Sequence, residues 1–213
     1  MLSIIVIGGG GHGRVVIDAL LRSGATVIGV IDPDRRVAAQ LPATVPWLGG
    51  DDALAGYPPS RYRLANGVGG IGEPQRRRVF ETFRQAGYAF AQVQHPAAVV
   101  APSSVALGEG CQIMAGAVIQ PGACIGADAI INTRASIDHD CVVGDHSHVA
   151  PGAVLCGDVV VGDDTHIGAG AVVIQGVRIG RGCIIGANAA VLRDVADGVV
   201  MFTRGERHET PRR

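Results

Sequence analysis

A glycine-rich stretch near the start of the chain has the residue types and spacing of a phosphate-binding turn. In "IIVIGGGGHGRVV", Gly8, Gly10 and Gly13 follow an apolar run, and Asp32 ends the next apolar run, "TVIGVID". Glycines there leave backbone N–H groups and a helix N-terminus free to meet a phosphate, while the carboxylate can bond a ribose hydroxyl. His12 lies inside the turn, where it can reach a sugar or a phosphate. The same spacing also occurs in turns that bind nothing, so both interpretations stay open.

A histidine beside an aspartate, in "SIDHDCVV", has the chemistry of a general base. An imidazole with an unperturbed pKa of about 6.5 takes up and releases a proton near neutral pH. A neighbouring carboxylate orients the ring and stabilises the imidazolium. His139 and Asp140 are therefore candidates for proton abstraction, and the alternative is a solvated histidine at a corner of the fold.

The composition is typical of a globular protein without a nucleic-acid or membrane partner. Of the 213 residues, 47% are hydrophobic, and the net charge of −1 provides no basic surface for nucleic acid or an anionic membrane. The sequence shows neither a secretory leader nor an apolar run long enough for a membrane span, so we expect a cytoplasmic protein. The arginine run from Arg76 to Arg78 is predicted to be a solvated helix face.

The five cysteines form no C-x-x-C pair, which argues against a disulfide framework and a structural zinc site, so we expect reduced thiols and no bound metal. Cys111, Cys141 and Cys183 occupy a small, apolar position of a sequence repeat and are predicted to be core residues. Cys124 and Cys156 lie outside that position, and neither has a base supported by a motif.

From residue 99 onward, the sequence repeats in steps of six residues. One position of each step is small or uncharged, and the position two residues later is aliphatic. The aliphatic series consists of Leu107, Ile113, Ile119, Ile125, Ile131, Ile137, Val143, Val149, Leu155, Val161, Ile167, Val173, Ile179, Ile185 and Val191. This period is the signature of a parallel β-helix, in which short strands form flat faces and residues eighteen apart stack on neighbouring coils. Frequent glycines, with Pro121 and Pro151, exclude an amphipathic α-helix.

The first part of the chain lacks this period and predicts a small three-layer α/β unit, similar to a Rossmann domain. We expect strands at residues 3–7, 26–31 and 62–66, helices at 13–22 and 73–86, and a loop around Trp47. The predicted domains are residues 1–95, the β-helix at 96–198, and a C-terminal tail at 199–213.

Four features together resemble the sugar O/N-acyltransferases of the sialic acid O-acetyltransferase family. They are the "GGGGHG" unit, the linker "HPAA", the hexapeptide repeat and "INTRASIDHDCVVGDHSHVAPGA". The family includes enzymes that acetylate nucleotide-linked 4-amino-sugars, such as bacillosamine and perosamine precursors. The resemblance implies a left-handed β-helix, a homotrimer, and direct acetyl transfer from acetyl-CoA without a covalent enzyme intermediate. Relatives commonly end in G-x-P-A, whereas this chain reads "VVMFTRGERHETPRR" from Val199.

The resemblance also assigns roles to individual residues. It implies that His139 is the general base, that Asp140 orients it, and that coenzyme A binds at His148, Gly168 and Ala169.

Gly157 lies one coil above His139, and its N–H is a candidate oxyanion donor, with a simple turn glycine as the alternative. We expect the nucleotide-linked sugar to bind at Gly10, Gly11, His12, Asp32, Pro33 and Gly67. His146 and His166 are expected at the surface or at an interface, and a metal held by His148 and His166 is disfavoured because no third ligand shares their register.

Two other functions remain open. One is O-acetylation of a sialic-acid-like sugar, because the same base serves an amine or a hydroxyl. The other, from a different class, is a trimeric scaffold without catalysis whose N-terminal domain senses NAD; the "DHDC" motif and the short N-terminal unit argue against it.

Overall fold

The computed structural model describes residues 3–70 and 74–202. Its N-terminal domain is a parallel sheet flanked by helices. The strands are β1 (Ser3–Ile7), β2 (Val27–Ile31), β3 (Trp47–Gly49) and β4 (Tyr62–Asn66), the α-helices are α1 (Gly11–Arg22) and α2 (Pro74–Gln85), and 3₁₀ turns span Arg35–Gln40 and Asp51–Gly56. Compared with the prediction, α1 begins two residues earlier, and the loop around Trp47 contains an edge strand.

The sheet has the strand order β3-β2-β1-β4, and all its pairs are parallel. Alternate residues of β1 face opposite layers: Ile4 and Val6 pack with Val16 of α1, whereas Ile5 packs with Phe80 of α2. The predicted three-layer unit is therefore confirmed. Strand β2 lies on one side of β1 and β4 lies on the other, so the connections run in opposite directions from β1. A crevice therefore opens at the carboxyl ends of β1 and β4, which is where ligands bind in sheets of this kind.

The rest of the described chain is a β-helix with three flat faces of parallel two-residue strands. Face 1 contains β5 (Val93–Gln94), β8 (Gln112–Ile113), β11 (Ile130–Ile131), β14 (His148–Val149), β17 (His166–Ile167), β20 (Ile184–Ile185) and β22 (Val200–Met201). Face 2 contains β6 (Val99–Val100), β9 (Val118–Ile119), β12 (Ser136–Ile137), β15 (Val154–Leu155), β18 (Val172–Val173) and β21 (Ala190–Val191). Face 3 contains β7 (Ala106–Leu107), β10 (Cys124–Ile125), β13 (Val142–Val143), β16 (Val160–Val161) and β19 (Arg178–Ile179).

The six-residue period arises because each coil sends one aliphatic and one small side chain per face into a shared core. The pairing register matches residues eighteen apart, as in His148 with His166. The core cluster contains the predicted aliphatic series from Ile113 to Val191 and the apolar members of the small series between Cys111 and Ala189. Leu107 packs against the cluster, and Ser147 and Thr165 are the buried polar members of the small series. Cys111, Cys141 and Cys183 are fully buried in it, as predicted, and burial raises the pKa of Cys111 to about 12.

The β-helix extends slightly beyond the expected domain limits. Val93 pairs with Gln112, and Val200 pairs with Ile184, so face 1 begins before residue 96 and continues past residue 198. Most of the expected tail lies outside the described residues. Within the described ranges, none of the helices has the length and apolarity to cross a bilayer.

Candidate functional site

The crevice of the N-terminal sheet holds a cavity of about 430 Å³. Two glycine-rich loops form its walls, one after β1 and one after β4. The lining residues are Gly8, Gly10, Gly11, His12, Asp32, Gly67, Val68, Gly69 and Gly70. The structure therefore brings together all the expected sugar-nucleotide residues except Pro33, which follows Asp32 but does not line the cavity. A Cβ atom at Gly13 would overlap the Gly8 carbonyl oxygen, so the third glycine of the motif allows the loop to close.

The carboxylate of Asp32 stabilises the first loop from within. One oxygen accepts a hydrogen bond from the Gly9 amide at 2.7 Å, and the other accepts one from the Asp34 amide at 2.8 Å. The Trp47 indole N–H donates to the Asp32 carbonyl oxygen at 2.9 Å. The Gly9 amide is thus already bonded, and the Gly8 amide donates to the Ile31 carbonyl oxygen at 2.8 Å, which leaves the Gly10 amide and the N-terminus of α1 to meet a phosphate.

His12 connects this cavity to the β-helix. Its Nε2 lies 2.7 Å from Oε1 of Gln112, a fully buried side chain on face 1. The Gln112 amide also donates from Nε2 to the carbonyl oxygen of Asn66 at 2.6 Å. Burial lowers the pKa of His12, which makes the imidazole neutral at neutral pH.

A buried ion pair joins α2 to the same face. Arg76 lies 2.9 Å from Asp128, and both side chains are almost completely buried. The Arg76 guanidinium also donates to the carbonyl oxygens of Asp128 and His146. Asp128 accepts a further hydrogen bond from the Asn66 amide at 3.1 Å and lies 3.1 Å from Nδ1 of His146.

The prediction of a solvated helix face was therefore wrong for Arg76, whereas Arg77 and Arg78 are exposed as expected. His146 was expected at the surface or at an interface. It is in fact largely buried where α2 meets the β-helix, with its ring edge-on to Phe80 at 5.4 Å. In both cases, the packing of α2 against the β-helix buries a side chain that would otherwise face solvent.

The second candidate site lies at the turn between faces 2 and 3. Nδ1 of His139 lies 2.9 Å from a carboxylate oxygen of Asp140, and about half of the His139 side chain is exposed. The hydrogen bond that Nδ1–H of His139 donates to Asp140 is the main cause of the raised pKa of His139. Asp140 adopts the left-handed conformation, with φ of 60°, as do the turn residues Asp128 and Asp158 of the β-helix.

Gly157 lies directly over the His139 ring on the next coil. A Cβ atom there would be 2.6 Å from Cε1 and closer still to Nε2. The backbone of Gly157 is outside the left-handed region, so space for the imidazole, and not turn geometry, requires glycine at this position. The ring is thereby held with Nε2 against the backbone of the coil above.

Two stacked histidines on face 1 behave differently from His139. His148 and His166 pack edge-on with ring centroids 4.9 Å apart, and Nδ1 of each is buried without a hydrogen-bond partner among the described residues. Nε2 of His148 lies 3.0 Å from the Asn132 amide nitrogen. Burial, reinforced by His166, lowers the pKa of His148 to about 3, so this ring is neutral.

His166 is buried, which corrects its expected place at the surface or at an interface. Gly168 and Ala169 follow it in the turn between faces 1 and 2. A Cβ atom at Gly168 would lie 2.6 Å from the Ala187 amide nitrogen, so close stacking of coils explains this glycine. The described residues contain no cluster of three or more metal-ligating side chains.

The sequence alone did not predict a role for some residues of these sites. Gln112, Asn66, Asp128 and Asn132 each make buried or half-buried hydrogen bonds to a candidate residue or its neighbours. Gln112 carried a weak signal, since it is a polar residue at an outward strand position of an apolar repeat. Asn66 ends strand β4, and Asp128 and Asn132 lie in or beside turns, where polar residues are ordinary.

Comparison with known proteins gives matches at both ends of the chain and over its whole length. A family model described as the PglD N-terminal domain matches residues 3–83, and a model of bacterial transferase hexapeptide repeats matches residues 158–193. The acetyltransferase domain of PglB from Neisseria gonorrhoeae FA1090, solved with acetyl coenzyme A, is 31% identical with a TM-score of 0.86, and the match covers 94% of this chain and 96% of that one. PerB from Caulobacter crescentus, solved with CoA and GDP-perosamine, is 39% identical with a TM-score of 0.85 over 96% of both chains.

The chain belongs to the hexapeptide-repeat N-acetyltransferases of nucleotide-linked amino-sugars. The resemblance seen in the sequence is thereby confirmed, as is the left-handed β-helix that it implied. In one chain of this acetyltransferase, His12 is bonded to face 1, whereas His139 lies at the opposite corner, between faces 2 and 3. The structure therefore does not bring His139 and the N-terminal cavity together within a single protomer.

The ion pair of Arg76 predicts a difference between two adjacent arginines of the acetyltransferase. We expect Arg76→Met to lower the free energy of unfolding by about 3–5 kcal/mol, because it leaves the Asp128 carboxylate buried without its cation. Arg77 bridges the exposed side chains of Glu81 and Asp164, so Arg77→Met should cost about 0–1 kcal/mol. Urea unfolding at one fixed protein concentration measures both. Equal losses would show that the Arg76 pair does not hold the two domains together.

Proposed function

We propose that this protein transfers the acetyl group of acetyl-CoA to the exocyclic amine of a UDP- or GDP-linked 4-amino-sugar, with His139 as the general base. The arrangement of His139 supports this assignment most strongly. Asp140 bonds Nδ1, which leaves Nε2 as the proton-accepting atom, and the half-exposed ring faces solvent where a second molecule can approach.

In the proposed reaction, the sugar amine attacks the thioester carbonyl carbon directly. The new C–N bond forms, Nε2 of His139 takes the proton released by the nitrogen, and the C–S bond then breaks to release coenzyme A. The proton passes from the imidazolium to the departing thiolate, so the enzyme returns to its starting state. Asp140 stabilises the imidazolium that exists between these steps.

Gly157 provides the candidate donor for the developing oxyanion. Its amide N–H makes no hydrogen bond within the described part of the chain, and the residue lies against the Nε2 edge of His139. A backbone donor fixed at that distance needs no reorganisation when charge develops on the carbonyl oxygen.

For the coenzyme, we propose a site at His148 on face 1 and at Gly168 and Ala169 in the adjoining turn between faces 1 and 2. His148 is neutral and bonded to Asn132, so it is suited to contacts with an uncharged thioester or amide group. The matched relatives solved with acetyl coenzyme A or CoA support a coenzyme site in this fold. The acceptor nucleotide would lie in the cavity near Gly10 and Asp32.

The separation of the two sites supports a homotrimer with shared active sites. The cavity is fixed to face 1 through Gln112, and the packed core of the β-helix separates it from His139. A neighbouring copy, related by threefold symmetry, can bring its own His139 corner to this cavity. Exposed apolar residues on the remaining surface, including Val142, Val172 and Leu192, provide area for such a contact.

Removal of the base tests the assignment. We expect His139→Ala to lower kcat by roughly 10²- to 10⁴-fold with little change in acetyl-CoA affinity. Coenzyme A release, measured across UDP- and GDP-linked 4-amino-sugars, identifies the acceptor and measures the fall in kcat. Turnover close to that of the wild type on the true acceptor would place the base elsewhere.

The carboxylate next to the base predicts a pH effect. Because Asp140 raises the pKa of His139, Asp140→Asn should move the acidic limb of the kcat profile to lower pH and reduce the maximum rate less than His139→Ala does. Asp138→Asn is the matched control. Asp138 bonds the His139 amide and not its ring, and it raises the His139 pKa only through its charge, so this variant should move the limb less. The pairing of Asp140 with His139 would be contradicted if the acidic limb did not move in Asp140→Asn, or if it moved equally far in Asp138→Asn.

Mixed oligomers test the shared site. His12→Ala and His139→Ala chains, co-expressed and assayed below the acceptor KM, should regain activity, because about one quarter of the sites in random trimers combine an intact cavity with an intact base. Light scattering of the same sample gives the mass of the assembly. If both groups came from one protomer, the mixture would be no more active than its separate components.

A further inference from the structure

Gln112 makes two hydrogen bonds that together fix its orientation. Its side chain is completely buried, and one end lies 2.7 Å from Nε2 of His12 while the other lies 2.6 Å from the Asn66 carbonyl oxygen. A carbonyl oxygen only accepts, so the amide NH₂ of Gln112 must face Asn66. The opposite orientation would place two oxygens against each other in a site that excludes water.

This orientation determines which nitrogen of His12 carries the proton. The end of Gln112 that faces His12 is an oxygen, which also only accepts, so Nε2 of His12 must be the donor. Burial is the largest influence on the His12 pKa and lowers it; Arg76 also lowers it, while Gln112 and Asp128 oppose the shift. The ring is therefore neutral, and Nδ1 has a free lone pair.

The surroundings of the ring leave Nδ1 available. A Cβ atom built at Gly69 would lie 2.8 Å from Cβ, 3.2 Å from Cγ and 3.8 Å from Cδ2 of His12, so the Gly69 loop packs against the Cβ end of the side chain and on the Cδ2 edge, which leads to Nε2. Nδ1 is on the other edge and has no hydrogen-bond partner among the described residues, although His12 lines the cavity.

We propose that Gln112 is a positioning residue that holds His12 in the Nε2–H tautomer, so that Nδ1 accepts a hydrogen bond from an amine or hydroxyl of the acceptor sugar. This inference rests on the proposed function, since the cavity must hold the acceptor. A phosphodiester presents only acceptor oxygens at neutral pH and cannot donate to Nδ1. The backbone amides of the loop then bind the phosphates, and His12 contacts the sugar.

The tautomer can be measured without any assay of activity. ¹⁵N NMR of protein labelled at histidine, with His12→Asn used to assign the signal, should show a protonated Nε2 and an unprotonated Nδ1. Gln112→Met, which keeps the length of the side chain and removes both hydrogen bonds, should mix the two tautomers. A wild-type ring with the proton on Nδ1, or a Gln112→Met spectrum identical to that of the wild type, would overturn the proposal.

Kinetics then separate the role of Gln112 from general stabilisation. We expect Gln112→Met to raise the acceptor KM by about two- to tenfold, with the acetyl-CoA KM unchanged. An even mixture of tautomers accounts for about twofold, because only the Nε2–H ring can accept from the sugar, and loss of the fixed ring orientation accounts for the rest, up to one modest hydrogen bond. Arg84→Ala, which removes an exposed ion pair with Glu109 between the same two domains, should change neither constant. An equal rise in both KM values for Gln112→Met would indicate general damage and contradict a positioning role.

Variants of His12 distinguish a sugar contact from a phosphate contact. His12→Asn retains an acceptor near the position of Nδ1 and should bind the acceptor better than His12→Ala, whereas His12→Lys should not. Better binding by His12→Lys than by His12→Asn would show a phosphate contact and overturn the inference. Absence of turnover with every amino-sugar would refute the proposed function but leave the measured tautomer unchanged.

Discussion

The repeating core of the β-helix is the constraint on which the rest of the structure depends. Each coil must deliver one small and one aliphatic side chain per face to a core that excludes water, which fixes the chain at eighteen residues per coil. Every outward position then lies directly above its equivalent on the coil below. Gly157 over His139 and His166 over His148 are both results of this register. The repeat therefore positions the chemistry as well as the fold.

Two histidines of similar sequence context have opposite electrostatic environments in this frame. His139 is half-exposed beside Asp140, which raises its pKa, whereas burial lowers the pKa of His148 to about 3. The difference arises because face 1 is covered by the N-terminal domain while the corner between faces 2 and 3 is open. One imidazole can exchange protons near neutral pH, and the other remains a neutral hydrogen-bonding group.

The N-terminal domain is joined to face 1 by a network of polar groups beside apolar packing of Val93 and Met114 with α1. Gln112 bonds both glycine-rich loops of the cavity through His12 and Asn66, and Asp128 bonds Asn66 and Arg76. Directional contacts of this kind fix the cavity at one distance and angle, whereas an apolar contact would tolerate sliding. A buried ion pair contributes little net stability on its own, so its value here is the defined position of the cavity.

The sequence by itself determined what depends on local periodicity and on contiguous motifs. The six-residue repeat specified the β-helix and its core cysteines, and the same count placed His139 at an outward corner with Gly157 above it. It could not reveal that Arg76 is buried, that His146 contacts Phe80, or that Gln112 bonds His12. Those residues are separated by tens to about a hundred positions in the chain, and their partners depend on how the two domains dock. Only the tertiary structure decides such contacts, because burial and hydrogen-bond partners at a domain interface follow from the relative placement of two surfaces and leave no periodic trace in either one.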